Sequence, residues 1–140
     1  MTVKRYTAGP FRVLITGGRD FTDRGVIEKA LMDIEQLPDV IIHGDAAGAD
    51  RVAGDVAEKL GLDVWKFPAQ WRRFGKSAGP RRNYQMIQEG RPTHVLAFPG
   101  GRGTQNMVKQ AEAAGLPIRH IGAAPMQSPF ENLLNSPEVS

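Results

Sequence analysis

Short apolar runs recur along the chain, each ending beside glycine or proline and most followed by a stretch whose apolar positions repeat at helical spacing. The runs fall at residues 11–15, 39–43, 62–67, 93–98 and 116–121, and their length and β-branched content predict strands. Ile27, Ala30, Leu31 and Ile34 predict the buried face of a first helix, capped at Thr22 or Asp23 and ended by Pro38. Val52, Ala53, Val56, Ala57 and Leu60 predict a second, stopped at Gly61. Residues 69–78 read as the longest connection. A third helix starts at Gly79-Pro80, with Pro80 in its first turn, and stops at Gly90. Met107 or Val108, Ala111 and Ala114 predict the inward face of a fourth, ending at Gly115. Pro117 puts the last strand at a sheet edge.

Alternation of strand and helix predicts an α/β fold. The expected form is a Rossmann-like three-layer α/β/α arrangement around a mainly parallel sheet of about five strands. Residues 1–10 read as a flexible arm, 11–121 as a single domain and 122–140 as an irregular tail dominated by Pro, Ser and Asn.

Composition narrows the class. The 140 residues are 41% hydrophobic and 24% charged, enough for one domain with a real core. No apolar run is long enough to cross a bilayer, and the first ten residues lack a signal-peptide core, so the cytoplasm is the default compartment. The absence of cysteine excludes disulfides, thiolate metal sites and Cys nucleophiles. Net charge is +3 and the pI about 9.5. The densest basic cluster is Arg72, Arg73, Lys76, Arg81 and Arg82, beside Trp71 and Phe74. It forms no long run and sits among glycine loops, which favours one anionic small molecule over a nucleic-acid groove.

In a doubly wound sheet, ligands bind at the carboxyl ends of the strands. Every glycine loop here follows a strand, so the topology should gather them at one edge. The first loop brings Thr16, Gly17, Gly18 and Arg19; the second brings His43, Gly44, Asp45, Gly48 and Asp50. The third helix start brings Arg81, Arg82 and Asn83, and the last loop brings Pro99, Gly100, Gly101, Arg102, Gly103 and Thr104. Backbone amides at a helix start, joined by arginines, suit phosphate. Asp45 and Asp50 suit ribose hydroxyls or a developing positive charge on a sugar, and Trp71 or Phe74 suits a base. Plainer roles compete: Asp50 as a helix cap, His43 as a buried core histidine, Arg19 as a solvated surface group, and Asn83 as a helix-start hydrogen-bonder. There is no G-x-x-x-x-G-K-[ST], no G-x-G-x-x-G after the first strand, no His-x-x-x-His and no nucleophile elbow. Neither a cofactor nor a metal is called for.

Four motifs in order, Gly17 to Phe21, His43 to Asp50, Gly79 to Asn83 and Phe98 to Thr104, resemble the SLOG superfamily, and within it the YspA, cpYpsA-related branch of bacteria and phages. The resemblance implies a Rossmann-like domain that binds nucleotides or nucleotide-derived ligands. The superfamily also holds the lonely-guy phosphoribohydrolases, which cleave the N-glycosidic bond of nucleoside monophosphates with the motif P-G-G-x-G-T-x-x-E. Pro99 to Thr104 is similar to its first six positions, the Glu position falls on Met107, and Asn106 beside it is uncharged. Arg82 would correspond to the catalytic arginine of those enzymes. Three functions follow as expectations. The first is binding of a nucleotide or derivative to sense or sequester it. The second is N-glycosyl hydrolysis, with Asp45 or Asp50 in place of the missing Glu and Arg82 beside it. The third is single-stranded nucleic-acid binding through residues 71–82. The edge strand and exposed helices permit a homo-oligomer.

Overall fold

The computed structural model describes residues 10–122. Apart from Pro10 and Gly122, the expected arm and tail lie outside the described residues. Five strands pair in parallel: β1 (Arg12–Thr16), β2 (Val40–His43), β3 (Asp63–Lys66), β4 (His94–Ala97) and β5 (Ile118–His120), in the order β3-β2-β1-β4-β5. The helices are α1 (Arg24–Met32), α2 (Ala49–Lys59), α3 (Trp71–Phe74), α4 (Ala78–Gln85) and α5 (Arg102–Ala113). A tight turn at Gly75–Ser77 joins α3 to α4, and a wider coil at Met86–Gly90 extends α4.

The strand period of two explains the layers. Val13, Ile15, Ile41 and Leu96 pack with Ile27 and Leu31 of α1 and Ala53, Val56 and Ala57 of α2. The intervening Leu14, Val40, Ile42 and Val95 pack with Met86, Met107 and Ala111 from the α4–α5 side. Leu14 stands level with Ile42 on β2 and Val95 on β4 and is fully buried. Each such side chain stabilises the fold by about 1.5–3 kcal/mol, so the centre of the sheet is well anchored. Strand order reverses between β1 and β4, because β2 lies on one side of β1 and β4 on the other. That seam is where a parallel sheet opens for a ligand.

Some boundaries differ from expectation. α1 stops at Met32, well before Pro38, with Asp33 at its C-cap donating to the Leu31 and Lys29 carbonyls. The chain between must descend to β2, and Asp39 fixes that entry: its N–H donates to the Phe11 carbonyl, and its carboxylate accepts from the Phe11 N–H. Leu60 and Ala114 are exposed, since each occupies a C-cap beyond the last packed turn. Residues 69–78 hold α3 rather than a bare connection. β5 lies at one edge and β3 at the other. Among the described residues, no helix is long and apolar enough to cross a membrane.

Candidate functional site

The loops after β1, β2 and β4 lock together over the seam. The Gly18 N–H donates to the Pro99 carbonyl at 2.8 Å, and the Gly18 carbonyl accepts from the Ala49 N–H at 3.2 Å. A Cβ on Gly17 would stand 2.6 Å from the Ala49 Cβ and 2.9 Å from the Phe98 Cβ. Gly48, at φ +82, lies against the Gly18 and Arg19 carbonyls, where a side chain has no room. These glycines let three backbones cross closely.

Above the crossing lies a cleft of about 850 Å³. Thr16, Gly17, Gly18 and Arg19 line it from the first loop, and Gly44, Asp45 and Asp50 from the second. Arg82 and Asn83 come from α4, and Gly101, Arg102, Gly103 and Thr104 from the start of α5. Gly48, Pro99 and Gly100 do not line this cleft: Gly48 packs behind the first loop, and Pro99 and Gly100 face a shallower hollow beside Thr104 and His120. A more apolar groove of about 630 Å³ lies at the opposite, amino-terminal ends of β1, β4 and β5, away from the glycine loops.

Charge in the cleft is unbalanced, with Arg19, Arg51, Lys76, Arg82 and Arg102 against Asp45 and Asp50. α5 adds to this. Its N-cap is Gly101, no side chain caps it, and its first turn holds no acidic residue. The opening N–H groups and the positive end of the helix dipole are therefore uncompensated.

Asp50 sits in the first turn of α2 and is 6% exposed. It does not cap that helix, whose N-cap is Gly48. Its Oδ2 reaches back to accept from the N–H groups of Gly44 (3.0 Å) and Ala46 (3.3 Å), which shapes the second loop. Burial raises its carboxyl to about 6, against the opposing pull of the Ala46 N–H, Arg82 and the Gly44 N–H. Asp45 follows with a left-handed backbone at φ +58, uncommon outside glycine. Its carboxylate meets Arg51 Nε at 3.3 Å, and its N–H donates to His43 Nδ1 at 2.9 Å. That bond leaves the imidazole proton on Nε2, which is buried against Gly54 without a partner among the described residues. Burial holds His43 down at about 4, with Asp45 opposing. His43 does not line the cleft; it positions Asp45 from beneath.

Arg82 is the hub of the opposite wall. Its guanidinium lies over Gly44 and donates to the Gly44 and Phe67 carbonyls, while Nε donates to Asn83 Oδ1 at 3.0 Å. Asn83, itself buried, donates through Nδ2 to Asn106 Oδ1 at 3.0 Å. Gln110 Nε2 donates to the same Asn106 oxygen at 2.8 Å and to the Pro80 carbonyl at 3.1 Å. This polar chain ties α4 to α5 and fixes the direction of Arg82. Asn106 and Gln110 were not legible as site residues, because their roles depend on how the two helices face each other. Burial lowers the Arg82 pKa, and the charges of Asp50 and Asp45 oppose that shift.

Because the three atoms nearest to a Gly44 Cβ all belong to the Arg82 guanidinium group, Gly44→Ala is expected to keep the fold and turn Arg82 out of the cleft. Anion affinity should then fall as far as in Arg82→Ala. Thermal melting and calorimetric titration of both variants check this, and an unchanged affinity in Gly44→Ala would contradict it.

Two expected placements separate. Met107, at the position of the lonely-guy Glu, does not face the cleft; it is fully buried with Leu14, Val95 and Ala111. The residue on that turn that lines the cleft is Asn106, about 100° round the helix. Trp71 lines the cleft, whereas Phe74 lies outside it, under the guanidinium groups of Arg73 and Arg81. Of the basic cluster, Lys76 and Arg82 reach the cleft, and Arg72, Arg73 and Arg81 do not line it.

Comparison with known proteins agrees with this frame. Residues 11–74 match the YspA, cpYpsA-related SLOG family. The Gene 61 protein of Mycobacterium phage D29 is 38% identical over 124 residues, covering 81% of this chain and 98% of the phage protein. The X-ray structure of DNA processing protein A (DprA) from Streptococcus pneumoniae superposes with a TM-score of 0.67 at 20% identity. That likeness covers 84% of this chain and 52% of DprA, so the chain spans about half of that neighbour. At such identity it shows the fold alone.

Proposed function

We propose that this chain, which belongs to the YspA, cpYpsA-related SLOG family, binds a nucleotide or nucleotide-derived small molecule in the cleft at the carboxyl edge of the sheet. One observation carries the reading: the uncapped start of α5 opens into a cleft where five basic side chains face two carboxylates. In this reading the N–H groups of Gly103 and Thr104, the Thr104 hydroxyl, Arg102 and Arg82 hold phosphate. Asp45 and Asp50 face the sugar, and Arg19 closes the rim. The output would be sensing or sequestering a signal nucleotide.

Thr104→Val and Arg102→Ala are each expected to weaken a phosphorylated nucleoside by about 1–3 kcal/mol. Both should leave thermal stability unchanged, since Arg102 is exposed and Thr104 is half-buried. Calorimetry across a nucleotide panel, guided by native mass spectrometry of molecules carried through purification, makes the test. Normal affinity in both variants would reduce the loop to a turn.

A hydrolase reading has one observation in its favour, a buried Asp50 whose carboxyl lies near 6, within range for acid–base work. Against it, the Asp50 Oδ2 already accepts two backbone N–H groups, and Met107 offers no group to the cleft. The expected result is saturable binding with negligible release of free base from common monophosphates. Turnover that disappears in Asp50→Asn or Asp45→Asn would replace the binder with a carboxylate enzyme.

A further inference from the structure

We infer that Trp71 forms the base-stacking subsite of the cleft, so that the ligand carries an aromatic base and is not a bare sugar phosphate; this rests on the nucleotide reading above. Besides backbone, carboxylates and cations, the cleft wall carries aliphatic side chains such as Ile15, Ala69, Pro80 and Met86. Trp71 is the one aromatic side chain on its wall among the described residues, and it is 51% exposed. A large apolar ring left half open inside a charged cleft is an unusual use of tryptophan, which normally buries most of its area.

The surroundings show why the ring is not simply packed away. Its benzo edge rests on Gly79 at the start of α4, where an added Cβ would approach to 3.3 Å. Gly79 thus seats one edge of the indole while the rest stays open. The arginines on either side do not cover it. Arg73 and Arg81 lie over Phe74, at 4.9 and 4.3 Å from its ring centroid. Phe74 absorbs the neighbouring guanidinium groups, and Trp71 is left for a guest.

Position suits that guest. Trp71 follows β3 and the α5 loop follows β4, with β2 and β1 between them. Because α4 packs on α5, the two lie nearer than the strand order implies: Trp71 rests on Gly79, four residues or roughly 6 Å along α4 before Asn83, whose Nδ2 donates to the Gly103 carbonyl. A nucleoside monophosphate can set its phosphate at one end and its base at the other, whereas a pentose phosphate has no ring to stack on Trp71.

The chain holds two tryptophans, so the protein carries its own reporter. Trp65 is on the exposed edge strand β3 and outside the cleft, and Trp65→Phe isolates the Trp71 signal. In that background, adenosine monophosphate is expected to quench Trp71 fluorescence saturably, and ribose 5-phosphate to bind by calorimetry without quenching. Trp71→Ala should weaken adenosine monophosphate by about 10-fold or more and leave ribose 5-phosphate unchanged, and Trp71→Phe should recover most of the loss. Equal losses for both compounds, or none for the nucleotide, would overturn the stacking subsite while leaving phosphate binding intact. If the unmodified protein binds neither compound, the nucleotide reading fails and this inference fails with it.

Discussion

Met107→Glu is expected to unfold the protein or nearly so, and to give no hydrolase. Aligned by motif alone, the substitution completes P-G-G-x-G-T-x-x-E and invites the opposite expectation, a gain of N-glycosidase activity. The structure decides between them. Met107 is fully buried among Leu14, Val95 and Ala111, in a cluster that offers a carboxylate neither a cation nor a hydrogen-bond donor from its side chains. An unpaired buried charge costs several kcal/mol, about 3–5 by analogy with broken buried ion pairs. A domain of this size has about 5–15 kcal/mol in total. The new carboxyl would stay protonated over an extended pH range, so stability should fall further as pH rises. Met107→Leu, which keeps volume and polarity, should cost less than about 1.5 kcal/mol. Urea denaturation of both variants at pH 5 and pH 8 measures this. A Met107→Glu protein with native stability and free-base release would mean that this turn of α5 faces the cleft after all.

The second large effect is a pH profile that is flat only because two buried groups oppose each other. Asp50 binds its proton more tightly folded than unfolded, with its carboxyl raised from 3.8 to about 6. Its contribution is therefore complete below about pH 4 and lost as pH rises through 6. His43 binds its proton less tightly folded than unfolded, falling from 6.5 to about 4. Its contribution is present above about pH 6.5 and lost as pH falls through 4. Each shift corresponds to roughly 3 kcal/mol at about 1.4 kcal/mol per unit, and the slopes oppose one another between pH 4 and 6.

Asp50→Asn keeps an oxygen for the Gly44 and Ala46 N–H groups and removes the buried charge. It should be more stable than the parent above pH 6, by up to about 3 kcal/mol, and it should reveal the acid sensitivity of His43. His43→Asn keeps an acceptor for the Asp45 N–H and should show the reverse, stability that falls as pH rises from 4 to 6. Denaturant unfolding at half-unit steps from pH 4 to 8 checks both; parallel profiles in all three proteins would refute the opposition.

The sheet was legible because each strand is a short apolar run closed by glycine or proline, and because strand–helix alternation admits few topologies. The lower end of α1 was not. Ile34 continues the helical spacing, yet the chain needs those residues to reach β2, and tertiary demand overrides periodicity. α3 is too short for any periodicity to announce it. Met107 carried two incompatible expectations, an inward position by spacing with Ala111 and a site position by motif. Helical geometry permits one, and the core takes it. The chain of contacts from Arg82 through Asn83 and Asn106 to Gln110 could not be read at all, since it exists only once α4 and α5 have set their rotation.

The crossing of the three loops also has a consequence in time. The floor of the cleft is closed by the bond from Gly18 to the Pro99 carbonyl, between segments that a growing chain makes far apart. When β1, β2 and β3 have emerged from the ribosome, the first two glycine loops exist, but Arg82, the α5 loop and the partner for Gly18 do not. Contacts of such long sequence separation form late, because the entropy of closing the intervening chain must be met first. The cleft is then completed only after β4 and the start of α5 have joined the first two loops, and a chain that stops before them would lack its floor.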